Sequence, residues 1–218
     1  MGLWRQTRRC DSSRGEEVEP LAAAAEERKR ECKDRDGPMD EMPTEDRGLI
    51  IVHTGNGKGK TTAAFGLALR AAGHGKRVLV LQFLKGQKGV GIVHALSKAS
   101  LPITVSRFGR PGYVHSRVCE PLDKILALEG LWVLRRAMDS GDYDMIILDE
   151  INVAIYFGLL ELQDVLELIR EKPPRLHLVL TGRYAPKEFL GIADSITEMK
   201  EVKHHYSQGV QAQKGIEI

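Results

Sequence analysis

Residues Thr54 to Thr62 read T-G-N-G-K-G-K-T-T. The apolar run Leu49–Val52 enters this stretch and the alanine-rich run Ala63–Ala72 leaves it. That order predicts a strand, a glycine loop and a helix. In such a unit the loop turns its backbone N–H groups inward, and the helix N-terminus adds the positive end of its dipole. The result is a cradle for phosphate. Lys60 can set an ammonium on the phosphates, and Thr61 can offer a hydroxyl to a divalent cation. Gly59-Lys60-Thr61 fits the close of the phosphate-loop pattern G-x-x-x-x-G-K-[ST], whereas the opening glycine position holds Thr54. The candidate phosphate contacts are Thr54, Gly55, Asn56, Gly57, Lys58, Gly59, Lys60, Thr61 and Thr62. A turn carrying Gly-Lys-Thr by chance would have no need of the strand before it and the helix after it.

The rest of the chain continues the alternation. Apolar runs at Arg77–Phe83, Ile103–Val105, Tyr143–Leu148, Leu176–Leu180 and Ser195–Met199 read as strands. Helical patterns fall between them at Ile92–Lys98, Leu122 to about Met138, Leu160–Arg170 and Lys187–Ile192, with an irregular stretch at Arg107–Arg117. Strands alternating with helices predict an α/β fold of the P-loop NTPase type. Its three layers would hold a mostly parallel sheet between helices, with room for one antiparallel edge strand. In such sheets the site lies at the C-terminal ends of the strands.

Those strand ends carry the chemistry. Met145–Asp149 reads M-I-I-L-D, followed by Glu150. A carboxylate leaving a buried strand beside a phosphate loop can position a hydrated Mg²⁺. The candidate metal residues are Thr61, Asp149 and Glu150. An acidic pair that only caps the following helix is the plainer alternative. Gln82, Lys85 and Lys88 follow the second strand, where a single loop lysine is usually just solvated. Arg183, after Thr181-Gly182, can bind phosphate or carboxylate in a planar, bidentate manner. His204 and His205 are adjacent and lack the spacing of a structural zinc site, which leaves them as substrate contacts or surface residues.

Composition narrows the setting. Lys and Arg total 32 against 30 Asp and Glu, a net charge of +2. That is too little for the basic stripe of a nucleic-acid binder. Three scattered cysteines form no metal pattern and fit a reducing compartment. No apolar stretch is long enough to span a membrane, and no signal peptide is evident, so the expected location is cytoplasmic. Residues 1–47 read as a charged N-terminal extension, with a candidate helix over residues 21–36. The folded domain is expected over residues 48–218.

The chain resembles the P-loop-type ATP:corrinoid adenosyltransferases. The resemblance rests on T-G-N-G-K-G-K-T-T-A-A-F-G at Thr54–Gly66, A-L-R-A-A-G-H-G at Ala68–Gly75, Q-F-L-K-G at Gln82–Gly86 and L-D-E-I-N at Leu148–Asn152. It continues through T-G-R at Thr181–Arg183, A-D-S-I-T-E-M at Ala193–Met199, V-K-H-H-Y at Val202–Tyr206 and G-V-Q-A-Q-K-G-I-E at Gly209–Glu217. The match covers the chain from Arg47 to its end.

The resemblance implies transfer of the 5′-deoxyadenosyl group of ATP to the cobalt(I) of a reduced corrinoid, with inorganic triphosphate as leaving group. ATP would lie reversed relative to ordinary P-loop ATPases. Lys60, Thr61 and Glu150 would be the catalytic set, with Mg²⁺ or Mn²⁺ as the cation and Asp149 acting through its water shell. The family places aromatic side chains beneath the corrin ring, in a segment reading roughly G-F-x-W. Here that segment is Gly112-Tyr113-Val114-His115, so Tyr113 keeps an aromatic and His115 replaces the tryptophan. The resemblance also implies a homodimer and leaves room for a flavoprotein or similar reductant. Two other readings of the phosphate loop remain distinct: a P-loop small-molecule kinase, which would yield ADP, and a non-catalytic ATP-binding regulatory protein.

Overall fold

The buried runs pair into one parallel sheet. A computed structural model describes residues 47–86, 91–110 and 119–216. In chain order the elements are β1 (Ile50–Thr54), α1 (Lys60–Gly73), β2 (Val78–Phe83), α2 (Gly91–Lys98), β3 (Ile103–Phe108) and α3 (Pro121–Ser140). They continue with β4 (Met145–Asp149), α4 (Ile151–Tyr156), α5 (Leu162–Arg170), β5 (His177–Thr181), α6 (Lys187–Ile192), β6 (Ser195–Glu198) and a 3₁₀ turn at His205–Gln208.

The six strands lie in the order β3-β2-β4-β5-β1-β6, and every pairing is parallel. The antiparallel edge allowed by the sequence is not found among the described residues. β3 and β6 are the edges, and β6 is exposed along its whole length. In contrast, all six residues of β2, VLVLQF, are buried, as expected for an interior parallel strand covered on both faces.

The period of two along each strand divides the core. Leu79, Leu81 and Phe83 point with Ile146, Leu148, Leu178 and Leu180 toward α3, α4 and α5. Val78, Val80, Met145, Ile147 and Val179 point the other way, onto Ala64, Phe65 and Ala68 of α1. These two cores make the three layers. α1 has small residues on its inner face, so it can lie close to the sheet. On the opposite side, Gly130 lets α3 approach: a Cβ there would sit 2.6 Å from Phe83 Cε1.

Several boundaries differ from the sequence reading. β3 extends to Phe108, so Arg107 and Phe108 are strand residues paired with Gln82 and Phe83. Pairing with an already formed neighbour extends a strand beyond its apolar run. The short α4 was not predicted; it starts directly after Glu150, without a loop. The candidate helix over residues 21–36 lies outside the described residues. Among the described residues, no helix is long and apolar enough to cross a membrane.

The topology fixes where chemistry can occur. β4 inserts between β2 and β5, and β5 sits beside β1. Gln82 is therefore opposite Asp149, and His53, just before Thr54, is opposite Thr181. Four strand ends meet at one sheet edge.

Candidate active site

The loop after β1 needs its glycines for shape. Gly55 has φ +92° and Gly59 φ +109°, a region costly to residues with a Cβ. A Cβ on Gly55 would also lie 2.4 Å from the Met199 carbonyl oxygen. That carbonyl accepts a hydrogen bond from the Gly57 N–H at 2.6 Å. The segment after β6 thus braces the loop from behind. Thr54 is buried, and its Oγ1 accepts from the Ala185 N–H at 3.4 Å. Instead of initiating the loop with a free backbone, Thr54 ties it to the turn that follows β5. Asn56, Lys58, Gly59 and Thr62 are exposed along the rim.

Lys60 is buried at the start of α1. Its Nζ donates to the carbonyls of Gly55 and Gly57 at 2.7 and 2.6 Å. Burial holds its pKa below the usual lysine value, with the Arg183 and Lys85 charges adding to the effect and Glu150 and Asp149 opposing it. The ammonium lies folded over the loop that it would share with a phosphate.

Asp149 is the centre of the site. It is fully buried, yet it receives four side-chain hydrogen bonds. Thr61 Oγ1 and Thr181 Oγ1 donate to Oδ1 at 2.9 and 2.7 Å. Gln82 Nε2 and Lys85 Nζ donate to Oδ2 at 2.8 and 2.7 Å. Burial alone would push this carboxyl up, but the Lys85 charge and these hydrogen bonds outweigh it and hold the pKa below the usual range. Asp149 is thus an anion, fixed by partners from α1, β5, β2 and the turn after β2.

Glu150 follows in the left-handed region, with φ +66°. Such backbone strain at a non-glycine residue is held only where its surroundings impose it. Here the Glu150 N–H donates to Thr181 Oγ1 at 3.0 Å, and β4 turns straight into α4. The Glu150 carboxylate lies 3.7 Å from Lys85 Nζ, and its charge bears on Lys60. Burial raises the Glu150 pKa and the adjacent Asp149 charge adds to this, against Lys85, Lys60 and Arg183.

The three candidate metal residues converge on one point, where Lys85 Nζ stands. It lies 3.0 Å from Thr61 Oγ1, 2.7 Å from Asp149 Oδ2 and 3.7 Å from Glu150 Oε1. Thr61 gives its proton to Asp149, so its lone pairs face that point. Gln82 Oε1, buried alongside, has no hydrogen-bond partner among the described residues and could accept from a cation's water. An oxygen set already gathered around one cationic atom fits a hard divalent ion. Among the described residues no group of three or more His, Cys, Asp or Glu is arranged to hold a metal, so such an ion would complete its shell with phosphate and water.

Other sequence candidates fall as follows. Arg183 is exposed beyond β5, near enough for its charge to bear on Lys60 and Glu150. Lys88, Tyr113 and His115 lie outside the described residues. His204 Nδ1 accepts from the Tyr206 N–H at 3.0 Å, and its ring stacks on His205 with centroids 4.6 Å apart. Sequence reasoning quoted Thr181 only as part of the T-G-R motif and gave it no role, whereas it joins Asp149 to the Glu150 backbone. It also read Lys85 as a loop lysine, whereas Lys85 sits against the buried carboxylate.

The family model described as ATP:corrinoid adenosyltransferase BtuR/CobO/CobP matches residues 46–218. A corrinoid adenosyltransferase of Pseudomonas aeruginosa is 38% identical over 175 residues, spanning 80% of this chain and 85% of that protein. The corrinoid adenosyltransferase CobA of Salmonella typhimurium is 36% identical over 193 residues, 88% of this chain and 96% of that protein. The Escherichia coli K12 protein is 35% identical with the same coverage. Among solved structures, a KaiC-like protein of Pyrococcus horikoshii superposes with a TM-score of 0.45 at 18% identity, over 72% of this chain and 75% of that one.

Proposed function

The chain belongs to the ATP:corrinoid adenosyltransferase family BtuR/CobO/CobP, and from that premise we propose how its residues divide the work of moving adenosyl from ATP to corrinoid cobalt. The substrate cobalt(I) attacks C5′ of ATP with its electron pair. The C5′–oxygen bond breaks, and its electrons leave with triphosphate. The protein has no nucleophile to supply. It must neutralise the leaving group, hold C5′ in line with cobalt and keep water away.

The observation that carries this reading is the gathering of Thr61, Asp149 and Glu150 around one cationic atom beside the glycine loop. Gly57 to Thr62 would hold the triphosphate, with backbone N–H groups along the loop and Lys60 as the main cation. Thr61 and Glu150 would hold Mg²⁺ or Mn²⁺, and Asp149 would orient them and the ion's water. When bound, the ion stabilises charge growing on the departing triphosphate. Arg183 adds a second cation at the exposed rim. Tyr113 and His115 would face the corrin ring, which rests on the motif alone. The reading includes a cytoplasmic homodimer supplied with electrons by a flavoprotein-type reductant.

Inorganic triphosphate tests the division. It should bind the protein with Mg²⁺ and compete with ATP, and Lys60→Ala should weaken it at least ~100-fold, a loss of about 2.7 kcal/mol. If triphosphate binds Lys60→Ala and wild type equally, the loop does not hold the leaving group.

A further inference from the structure

Lys85 is built into the site more firmly than a loop lysine. Leu84, just before it, has φ +60°, and the Leu84 N–H donates to the Phe108 carbonyl at 2.9 Å. Gly86, just after it, is packed backbone to backbone: a Cβ there would lie 2.2 Å from the Gly109 carbonyl oxygen. A strained, tightly packed turn thus delivers the side chain to Asp149. The Lys85 side chain is 30% exposed, while that of Asp149 is 0% exposed. One end of the ion pair is sealed and the other is partly open to solvent.

We propose that Lys85 is a resident counter-ion: its ammonium occupies the divalent-cation position of the nucleotide-free enzyme and is displaced when the cation arrives with ATP. The proposal rests on the assignment of Thr61, Asp149 and Glu150 to the cation. Two cations cannot share a point that is 2.7 Å from one carboxylate oxygen and 3.0 Å from one hydroxyl. A free divalent ion must therefore displace an ammonium that already satisfies Asp149. An ion carried by triphosphate brings further oxygen ligands and negative charge, which also gives the displaced ammonium a new partner. The consequence is strong coupling: nucleotide tightens the cation, and the cation tightens nucleotide by the same factor. The buried carboxylate is never left without a positive charge, a state that would be costly. This assigns Lys85 a positioning and gating role distinct from that of Lys60, which bonds to the loop itself.

Mn²⁺ binding followed by electron paramagnetic resonance tests this without reference to turnover. Wild type should bind Mn²⁺ weakly alone and at least ~100-fold more tightly with ATP, a coupling of about 2.7 kcal/mol. Lys85→Met should bind Mn²⁺ alone at least tenfold more tightly than wild type, and its coupling to ATP should shrink correspondingly. Lys85→Arg, which keeps the charge, should stay weak. Lys85→Gln retains a donor toward Asp149 and serves if the methionine variant fails to fold. It too should gain affinity for Mn²⁺ alone. Equal Mn²⁺ affinity without ATP in wild type and the neutral variants overturns the proposal while leaving the cation assignment in place. Failure of wild type to bind Mn²⁺ even with ATP overturns both.

Discussion

Thr61 Oγ1 donates to Asp149 Oδ1 across 2.9 Å, joining the first turn of α1 to the end of β4 through a buried carboxylate. The bond sets the direction of the threonine's lone pairs and so the place where a cation can sit. Asp149→Asn keeps the shape but puts an amide N–H₂ where one carboxylate oxygen accepts hydrogen bonds. Adenosyl transfer is expected to fall at least ~100-fold, about 2.7 kcal/mol in the barrier, with the far-ultraviolet dichroism unchanged. Anaerobic turnover with a pre-reduced corrinoid measures it. Retention of more than half the activity would show that the carboxylate does not organise the site.

Glu150 and Asp149 are neighbours with opposite shifts. For Glu150 the folded pKa is raised above the ordinary 4.5. The folded protein then binds the proton more tightly than the unfolded chain does, so ionising Glu150 costs stability. Its favourable contribution is complete below about pH 4.5 and is lost as pH rises through the folded pKa. Glu150→Gln, which stays neutral, should therefore unfold at a higher temperature than wild type near pH 7. The difference should vanish near pH 4, in melts without nucleotide or divalent ion. A constant difference across that range would contradict the assignment.

His53 gives a slope of the other sign. It is buried on β1, and neither ring nitrogen has a hydrogen-bond partner among the described residues. Burial lowers its pKa from the ordinary 6.5. Below that value the unfolded chain binds a proton that the folded protein resists, so stability falls as pH drops from about 6.5 toward the folded pKa. His53→Phe should flatten this fall, and the melting temperature of the variant minus that of wild type should become more positive between pH 7 and pH 5. A gap independent of pH would show that His53 is not what titrates.

Gly130 tests the helix–sheet contact that shapes the core between the sheet and α3. A Cβ at this position would meet Phe83 Cε1 at 2.6 Å and Phe108 Cδ2 at 3.1 Å. Gly130→Ala sets a gain in helix propensity of ~1 kcal/mol against that clash with Phe83, and Gly130→Leu should be destabilising by about 1–3 kcal/mol through overpacking. Phe83→Leu should recover part of the loss in Gly130→Leu. Urea unfolding of the two single variants and the double variant measures it, and strict additivity would mean that the two positions do not touch.

The glycine loop was legible because its glycines, lysine and threonine are adjacent in sequence and each has a local reason to be there. The interior strands were legible because both faces of the sheet are covered there, which makes their sequences near-continuous apolar runs. The site beyond the loop was less so. Its centre is made by strand order: β4 between β2 and β5 puts Gln82, Asp149 and Thr181 side by side, from three separate parts of the chain. No local pattern marks Thr181 as a partner of Asp149, and Lys85 looks like any lysine following a strand. Likewise α4 was missed because the left-handed turn at Glu150 starts it with no cap or loop to announce it.

Product identity tests the central claim most directly. The protein is mixed anaerobically with ATP, Mg²⁺ and a corrinoid chemically reduced to cobalt(I), and both products are measured. A light-sensitive cobalt–carbon bond and inorganic triphosphate should form in equal amounts, with no ADP. Formation of ADP without an adenosylated corrinoid would contradict the account and return the glycine loop to ordinary phosphoryl transfer.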